Sequence, residues 1–143
     1  MSTIAPRHLG RLGEHYALYK LESFGIEAFR VDREDVDIWA KLPNKKLISV
    51  QVKSSRRFVE KNRRTHYRFY FKKQGSKYVP ADLAVLVGVD NENLNAICLR
   101  DKFGSTGYCR LNERFFCSEF EKKSFNRMLK NKTMKFINQD TLQ

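Results

Sequence analysis

Long apolar stretches and paired cysteines are both missing from this chain of 143 residues. No run approaches the ~20 apolar residues that a membrane-spanning helix needs, and the first residues lack the pattern of a signal peptide. The three cysteines, Cys98, Cys109 and Cys117, contain no Cys-x-x-Cys pair, so neither a disulfide framework nor a zinc site is indicated. We therefore expect a cytoplasmic protein with reduced, mostly buried thiols and no membrane partner.

Acidic residues are scarce relative to basic ones. Lysine and arginine number 28 against 16 aspartates and glutamates, which gives a formal net charge of +12. Such an excess on a small chain indicates a polyanionic partner, for which nucleic acid and an anionic membrane both qualify. The hydrophobic content of 41% is enough for a core, so we predict one domain spanning residues 1–143.

The most informative segment consists of two alternating stretches on either side of a turn-forming loop at residues 42–46. Alternation of polar and apolar residues is typical of half-buried strands, and the loop predicts an antiparallel hairpin. A sheet gains nothing from polar groups that lack partners, because burying them costs free energy. A divalent metal bound beside a phosphate would give each of these polar groups a partner. The polar residues predicted to share one face are Asp35, Asp37, Ser49, Gln51 and Lys53.

A helix predicted from Leu9 to Phe24, ending at Gly25, precedes this hairpin. Its Glu14 lies next to the apolar stripe of the helix rather than on its most polar face. A lone glutamate in such a position is ordinarily explained by an ion pair with a nearby arginine or lysine. The polar hairpin that follows favours a role for Glu14 in metal binding instead.

The most basic segment runs from about residue 56 to residue 73 and contains a single acid, Glu60. Aromatic residues alternate through its second half, which predicts a β-ribbon with a cationic loop at residues 60–64. Charge runs are usually solvated surfaces, but the density of arginine next to the polar hairpin favours phosphate contacts. The predicted DNA-binding residues are Arg56, Arg57, Lys61, Arg63, Arg64, Arg68 and Lys72.

The remaining pattern predicts an α/β fold, in which a mixed β-sheet is flanked by helices. The apolar run from Leu83 to Val89 is typical of a central strand covered on both faces, and further strands are predicted at residues 26–31 and 94–99. Ser118 and Glu121 form a capping-box pattern that predicts a C-terminal helix of about residues 119–130.

A helix with Glu14, a strand with Asp37, and a strand carrying Gln51-Val52-Lys53 together resemble the PD-(D/E)xK nuclease superfamily. The resemblance covers about residues 9–55 and implies a restriction-endonuclease-like core with the basic ribbon as an extension. Gln51 replaces the acid of the usual motif, as it does in some members. The chain looks most like the Gln-x-Lys homing endonucleases encoded in group I introns.

The resemblance implies a Mg²⁺-dependent DNA endonuclease, with Mn²⁺ able to substitute. Asp37, Gln51 and Glu14 would be the metal ligands, and Lys53 would assist the attacking water. Asp35 is on the same strand face but about 6.6 Å along the strand from Asp37 at ~3.3 Å per residue. That is too far to bind the same metal directly without long reach, so Asp35 is a candidate accessory residue only.

Other functions stay open at this point. A Holliday-junction resolvase acting on branched DNA would share the same order of motifs. A nucleic-acid-binding module with a decayed site would explain Gln51, and a structural ribonucleoprotein component would leave the polar hairpin unexplained. For an endonuclease cutting both strands of DNA, one site per chain implies a homodimer or homotetramer.

Overall fold

A computed structural model of the protein describes residues 5–31, 36–62, 64–71, 81–91, 93–100 and 108–130. Two helices, seven strands and a short 3₁₀ turn make up the described part of the chain. None of these helices combines the length and apolar character needed to cross a membrane. The elements are α1 (Pro6–Ser23), β1 (Glu27–Arg30), β2 (Ile38–Lys41), β3 (Leu47–Val59), β4 (Thr65–Tyr70), β5 (Leu83–Asp90), β6 (Asn93–Arg100), β7 (Tyr108–Asn112), the 3₁₀ turn (Glu113–Phe115) and α2 (Ser118–Lys130).

The strands form a mixed sheet in the order β1-β2-β3-β5-β6, and β3 also pairs with a second set of strands, β4 and β7. Only the β3–β5 pair is parallel; every other described pair is antiparallel. Residues Leu83 to Val89 of β5 are all buried, as predicted for a central strand. The predicted fold class, α/β with a mixed sheet flanked by helices, is confirmed.

Helix α1 begins at Pro6, three residues before the predicted start, because proline fits the first helical position, where no backbone N–H is needed. It ends as predicted before Gly25, whose φ of 80° lies in the left-handed region that glycine tolerates. Ala17 and Leu21 are fully buried in the core. The helix packs on β3 and β5, on the face of β3 to which the Ser54 side chain points. Strand alternation turns Gln51 and Lys53 to the opposite face.

The predicted capping box at the start of α2 is wrong. The backbone N–H of Glu121 donates to the carbonyl of Cys117, an ordinary helical bond, rather than to the side chain of Ser118. The Glu121 carboxylate instead turns inwards and accepts the N–H of Ala96 at 2.7 Å. That N–H lies on the open edge of β6, so the side chain satisfies a backbone donor that no further strand covers.

The same helix covers more of this edge and joins it to α1. Ser124 Oγ accepts the N–H of Cys98 at 3.0 Å. The Glu121 carboxylate also accepts from the hydroxyl of Tyr16 at 2.7 Å and pairs with Lys20 Nζ at 2.7 Å. A buried carboxylate is tolerated here because it has three partners.

The basic ribbon is part of a three-stranded sheet. Strand β3 continues without a break from the hairpin into the ribbon, and β4 returns alongside its last residues. The other edge of β4 pairs with β7, a strand that the sequence analysis missed. Tyr67, Phe69 and Phe71 are buried on the inner side, as their alternation predicts. The ribbon is therefore a rigid layer on the core rather than a free extension.

Two of the three cysteines are core residues. Cys98 and Cys109 are fully buried, whereas Cys117 is exposed. Burial raises the pKa of the Cys109 thiol to about 12 and that of Cys98 further still. Both thiols stay neutral and behave as small apolar side chains.

Candidate active site

Asp37 is held in place by the strand that it faces. It immediately precedes β2, and its N–H donates to the carbonyl of Val50 at 3.0 Å. Its Oδ2 accepts the N–H of Val52 at 2.7 Å. The Asp37 side chain thus accepts the hydrogen bond from β3 that a backbone carbonyl would accept if β2 extended further. Val50 and Val52 are the immediate neighbours of Gln51 in the sequence, so Asp37 is fixed against the part of β3 that carries Gln51.

Gln51 and Lys53 are two residues apart on β3, so they lie on the same face of the strand as the sequence predicts. Gln51 is buried, with 8% of its surface exposed, and Lys53 is half-buried. The hairpin therefore brings one carboxamide and one ammonium to the same side of the sheet, and it holds the Asp37 carboxylate against the backbone next to Gln51.

Glu14 approaches the Asp37 carboxylate from α1. Its Oε2 accepts from Arg30 Nη2 at 3.0 Å, so the ion pair expected for a lone helical glutamate is present. The pKa of Glu14 is nevertheless raised, first by burial and then by the nearby carboxylate of Asp37, against the opposing charge of Arg30. The structure thus shows the ion pair and also places the two carboxylates next to each other; a role of Glu14 in metal binding stays a prediction.

Close packing of α1 on β3 explains how Glu14 comes so near. A Cβ atom at Gly13 would lie 1.7 Å from the hydroxyl oxygen of Ser54. A side chain at this position would require the Ser54 hydroxyl to move. Gly13 directly precedes Glu14, so the close approach brings this part of α1 near β3.

The donor set suits a hard divalent cation. Two carboxylates and a carboxamide offer oxygen atoms, which Mg²⁺ prefers, with several waters retained. Burial and then the neighbouring Asp37 carboxylate raise the pKa of Glu14, and a bound cation would act against both effects. Within the described ranges no three histidine, cysteine, aspartate or glutamate side chains cluster as a metal site. Asp35, the predicted accessory residue, lies outside those ranges.

Among the predicted DNA-binding residues that the structure describes, Arg57 differs from the others in having acidic partners. Arg57 has acidic partners: its Nε lies 2.9 Å from Glu113 and its Nη1 3.5 Å from Asp90. These contacts indicate a structural role for Arg57, because they tie β3 to β5 and to the turn after β7.

The other predicted DNA-binding residues differ in position and exposure. Arg56 is exposed and lies on the side of β3 opposite to Arg57. Exposed Lys61 and Arg64 belong to the ribbon loop or its border, Arg68 is half-buried on β4, and Arg63 and Lys72 lie outside the described residues.

Arg110 is a basic residue that the sequence analysis missed. It lies on β7 directly opposite Arg68 of β4, and it pairs with Glu60 in the ribbon loop. The alternating run Tyr-Cys-Arg-Leu-Asn at residues 108–112 was the available signal. It was weak, because five residues with one charge are common in loops as well as in strands.

The architecture is shared with a solved endonuclease structure. That structure is the bacterial homing endonuclease I-Ssp6803I, which is 18% identical to this chain, with a TM-score of 0.56 over 76% of this chain and 78% of the other. No protein-family model matches the sequence, and no curated protein matches it either. At this level of identity the similarity establishes the fold.

Proposed function

We propose that the protein is a metal-dependent DNA endonuclease of the homing type, with a PD-(D/E)xK site. The observation that carries the proposal is the proximity of the Glu14 and Asp37 carboxylates, next to the strand that carries Gln51 and Lys53. The net charge of +12 supports a nucleic-acid substrate. The shared fold with a protein described as a homing endonuclease supports the reaction class.

Each side chain has a defined part in phosphodiester hydrolysis. Asp37, Gln51 and Glu14 would hold Mg²⁺, or Mn²⁺ in its place, which supplies charge neutralisation at the phosphate when bound. Lys53 would orient or deprotonate the attacking water and offset the charge that develops on the phosphate oxygens. With two carboxylates only, metal binding should be weaker than in a site with the usual acid in place of Gln51.

The substrate is proposed to be double-stranded DNA, and the working assembly a homodimer or homotetramer. One site cuts one strand, so a double-strand break needs at least two copies. A Holliday-junction resolvase would use the same constellation on branched DNA. A decayed binding module would bind DNA without cutting it.

One experiment separates these functions. The protein is incubated with linear random duplex, a four-way junction and the DNA flanking its own gene, with and without Mg²⁺. Metal-dependent cutting confined to the flanking DNA supports the homing type, and preferential cutting of the junction supports a resolvase. Binding without cleavage at any metal concentration would reject the endonuclease.

Asp37→Asn should abolish cleavage and leave DNA binding nearly intact. An asparagine oxygen can still accept the N–H of Val52, so the local fold should persist while the negative charge is removed. Asp82→Asn is a matched control, because Asp82 accepts the N–H of Ser49 on the same strand at 2.9 Å. Full activity of Asp37→Asn in saturating Mg²⁺ would remove Asp37 from the site.

Lys53→Ala should lower the cleavage rate on the order of 10²-fold or more, with little change in affinity, because the ammonium acts on the transition state. Lys53→Arg should not restore activity, since a planar fork does not replace a compact ammonium. Single-turnover cleavage and binding without metal measure the two effects. A decrease in affinity as large as the decrease in rate would make Lys53 a phosphate clamp only.

A further inference from the structure

The β3–β4–β7 sheet has an outer face whose side chains are unlike those of a solvated surface. On the inner side Tyr67, Phe69 and Leu111 are buried. Strand alternation turns the residues between them to the other side of the sheet, and residues paired across β3, β4 and β7 share that side. We call this side the outer face; its principal residues are Phe58, His66, Arg68, Tyr70, Tyr108 and Arg110.

Arg68 is held in one orientation on this face. Its Nε donates to His66 Nε2 at 2.9 Å, and the centre of its guanidinium lies 4.3 Å from the ring centroid of Phe58. The rings of Phe58 and His66 are themselves stacked, with centroids 5.8 Å apart. Among the residues that the structure describes, the two terminal nitrogens of Arg68 have no partner. The fork of the guanidinium is therefore positioned but unused.

The hydrogen bond to His66 that holds Arg68 leaves the other ring nitrogen of His66 without a partner among the described residues, which lowers stability. Because His66 Nε2 accepts a hydrogen bond, the proton of the neutral ring is on Nδ1. That nitrogen is buried and has no hydrogen-bond partner among the described residues. A buried donor without a partner is destabilising, so the arrangement is not explained by folding alone.

A fixed arginine fork suits a base better than a phosphate. A phosphate contact depends chiefly on charge, and a mobile arginine or lysine supplies it. A planar donor pair in a set orientation matches O6 and N7 of guanine with two parallel bonds, and β-strands fit into the major groove of DNA. Exposed Arg56 keeps the surroundings positive, whereas the charge of Arg110, which lies opposite Arg68, is balanced by its ion pair with Glu60.

We propose that the outer face lies in the major groove and that Arg68 reads a guanine there, with His66 and Phe58 as positioning residues. This inference rests on the proposed DNA-binding function and adds to it a residue that determines sequence preference. The basic loop at residues 60–64 then contacts the backbone without discriminating sequences.

The test is a binding selection from random duplex DNA, carried out with chelator so that nothing is cut. The wild-type protein should select a motif that contains a guanine whose preference is absent from Arg68→Lys. Arg68→Lys keeps the charge, so binding to unrelated duplex should stay the same. Arg127→Lys on α2, where Arg127 is exposed, is the matched control and should select the wild-type motif.

A second measurement uses the wild-type protein and does not depend on a variant that folds. Each guanine of the selected motif is replaced in turn by 7-deazaguanine, which lacks the N7 acceptor. One replacement should weaken wild-type binding about 10- to 150-fold, the range expected for the loss of one hydrogen bond from a charged donor. The same replacement should not weaken binding of Arg68→Lys.

Positioning by His66 predicts a further pattern. His66→Phe keeps the ring stack but removes the acceptor for Arg68 Nε, and it should abolish the guanine preference while its affinity for unrelated duplex is retained. His66→Gln keeps an acceptor and should preserve part of the preference. A purely structural role would lower the melting temperature of both variants and leave the selected motif unchanged.

The outcomes separate this inference from the proposed function. If the wild-type protein selects no DNA and binds none, the proposed function fails. If it selects a motif that Arg68→Lys selects equally well, or a motif without guanine, DNA binding stands and the reading of guanine by Arg68 is overturned.

Discussion

At the scale of single residues, Gln51 tests how the proposed metal site works. It is buried on β3 between Val50 and Val52, the two residues whose backbone holds Asp37, so it is the neutral member of the proposed ligand set. Gln51→Glu has the same size and adds a negative charge. It should bind Mg²⁺ at least as tightly and remain active, because hard cations prefer carboxylates.

Gln51→Leu should be inactive, since it removes the oxygen and keeps the approximate volume. Metal titrations monitored by cleavage rate compare the two variants, and thermal melting checks that both fold. Retained activity of Gln51→Leu would show that Gln51 is structural and that the metal site consists of Glu14 and Asp37 alone.

His66 should make stability depend on pH. Burial and then the charges of Arg110 and Arg68 lower its pKa in the folded protein below the ordinary 6.5, against a smaller opposing effect of Glu60. The folded state therefore binds fewer protons than the unfolded state below about pH 6.5. Its stability contribution is present above that pH and is lost as the pH falls towards the lowered pKa.

Denaturant unfolding at several pH values measures this effect. The free energy of unfolding of the wild type should fall more steeply than that of His66→Gln between about pH 6.5 and pH 5. His15 is exposed on α1, so His15→Gln is the matched control and should follow the wild type. Equal slopes for wild type and His66→Gln would mean that His66 is protonated without cost.

At the scale of elements, the packing of α1 on β3 also governs the site. Ser54 Oγ is buried without a hydrogen-bond partner among the described residues, and it faces Gly13 at a distance that excludes a Cβ. Gly13→Ala should destabilise by about 1–3 kcal/mol through overpacking, and it should slow cleavage by displacing Glu14. Ser54→Ala alone should be nearly neutral, because it removes an unsatisfied hydroxyl.

The double variant Gly13→Ala with Ser54→Ala should recover most of the stability that Gly13→Ala removes, measured by denaturant unfolding. Gly10→Ala is the control within the same helix. No atom lies within 4 Å of a Cβ at Gly10, so this change should stabilise by roughly 0.5–1 kcal/mol through helix propensity. Additive effects of the Gly13 and Ser54 substitutions would show that the hydroxyl simply rotates away.

At the scale of the whole molecule, the net charge of +12 is concentrated in part on the ribbon loop. Each phosphate that the protein binds contributes to the decrease of affinity with salt. Neutralising Lys61, Arg63 and Arg64 together should flatten the slope of log affinity against log salt by up to ~3 units, at roughly 0.9 for each phosphate that is no longer neutralised.

The matched control removes three exposed charges from α2, at Lys122, Lys123 and Arg127. It lowers the net charge equally, and the proposed binding of phosphate by the loop predicts that the salt slope of this variant stays close to that of the wild type. Titrations of duplex DNA at four or more salt concentrations give the slopes. An unchanged slope for the loop variant would identify the loop as a solvated surface.

Sequence alone determined the elements whose patterns are local. The hairpin, the central strand β5 and both helices follow from alternation, helical periodicity and turn residues, and their bounds differ from the predicted ones by a few residues at most. Asp37, Gln51 and Lys53 could be predicted together because they lie within one hairpin, where register follows from a short turn.

Only the tertiary structure decided which distant groups meet. Glu14 reaches Asp37 because Gly13 lets the helix lie against β3, and Glu121 leaves its expected capping role because the edge of β6 offers an unpaired N–H. Arg57 and Arg68 both belong to one basic run, yet one is paired with acids and the other is held by His66. Strand alternation separates such residues onto two faces, but long-range packing decides what each face meets.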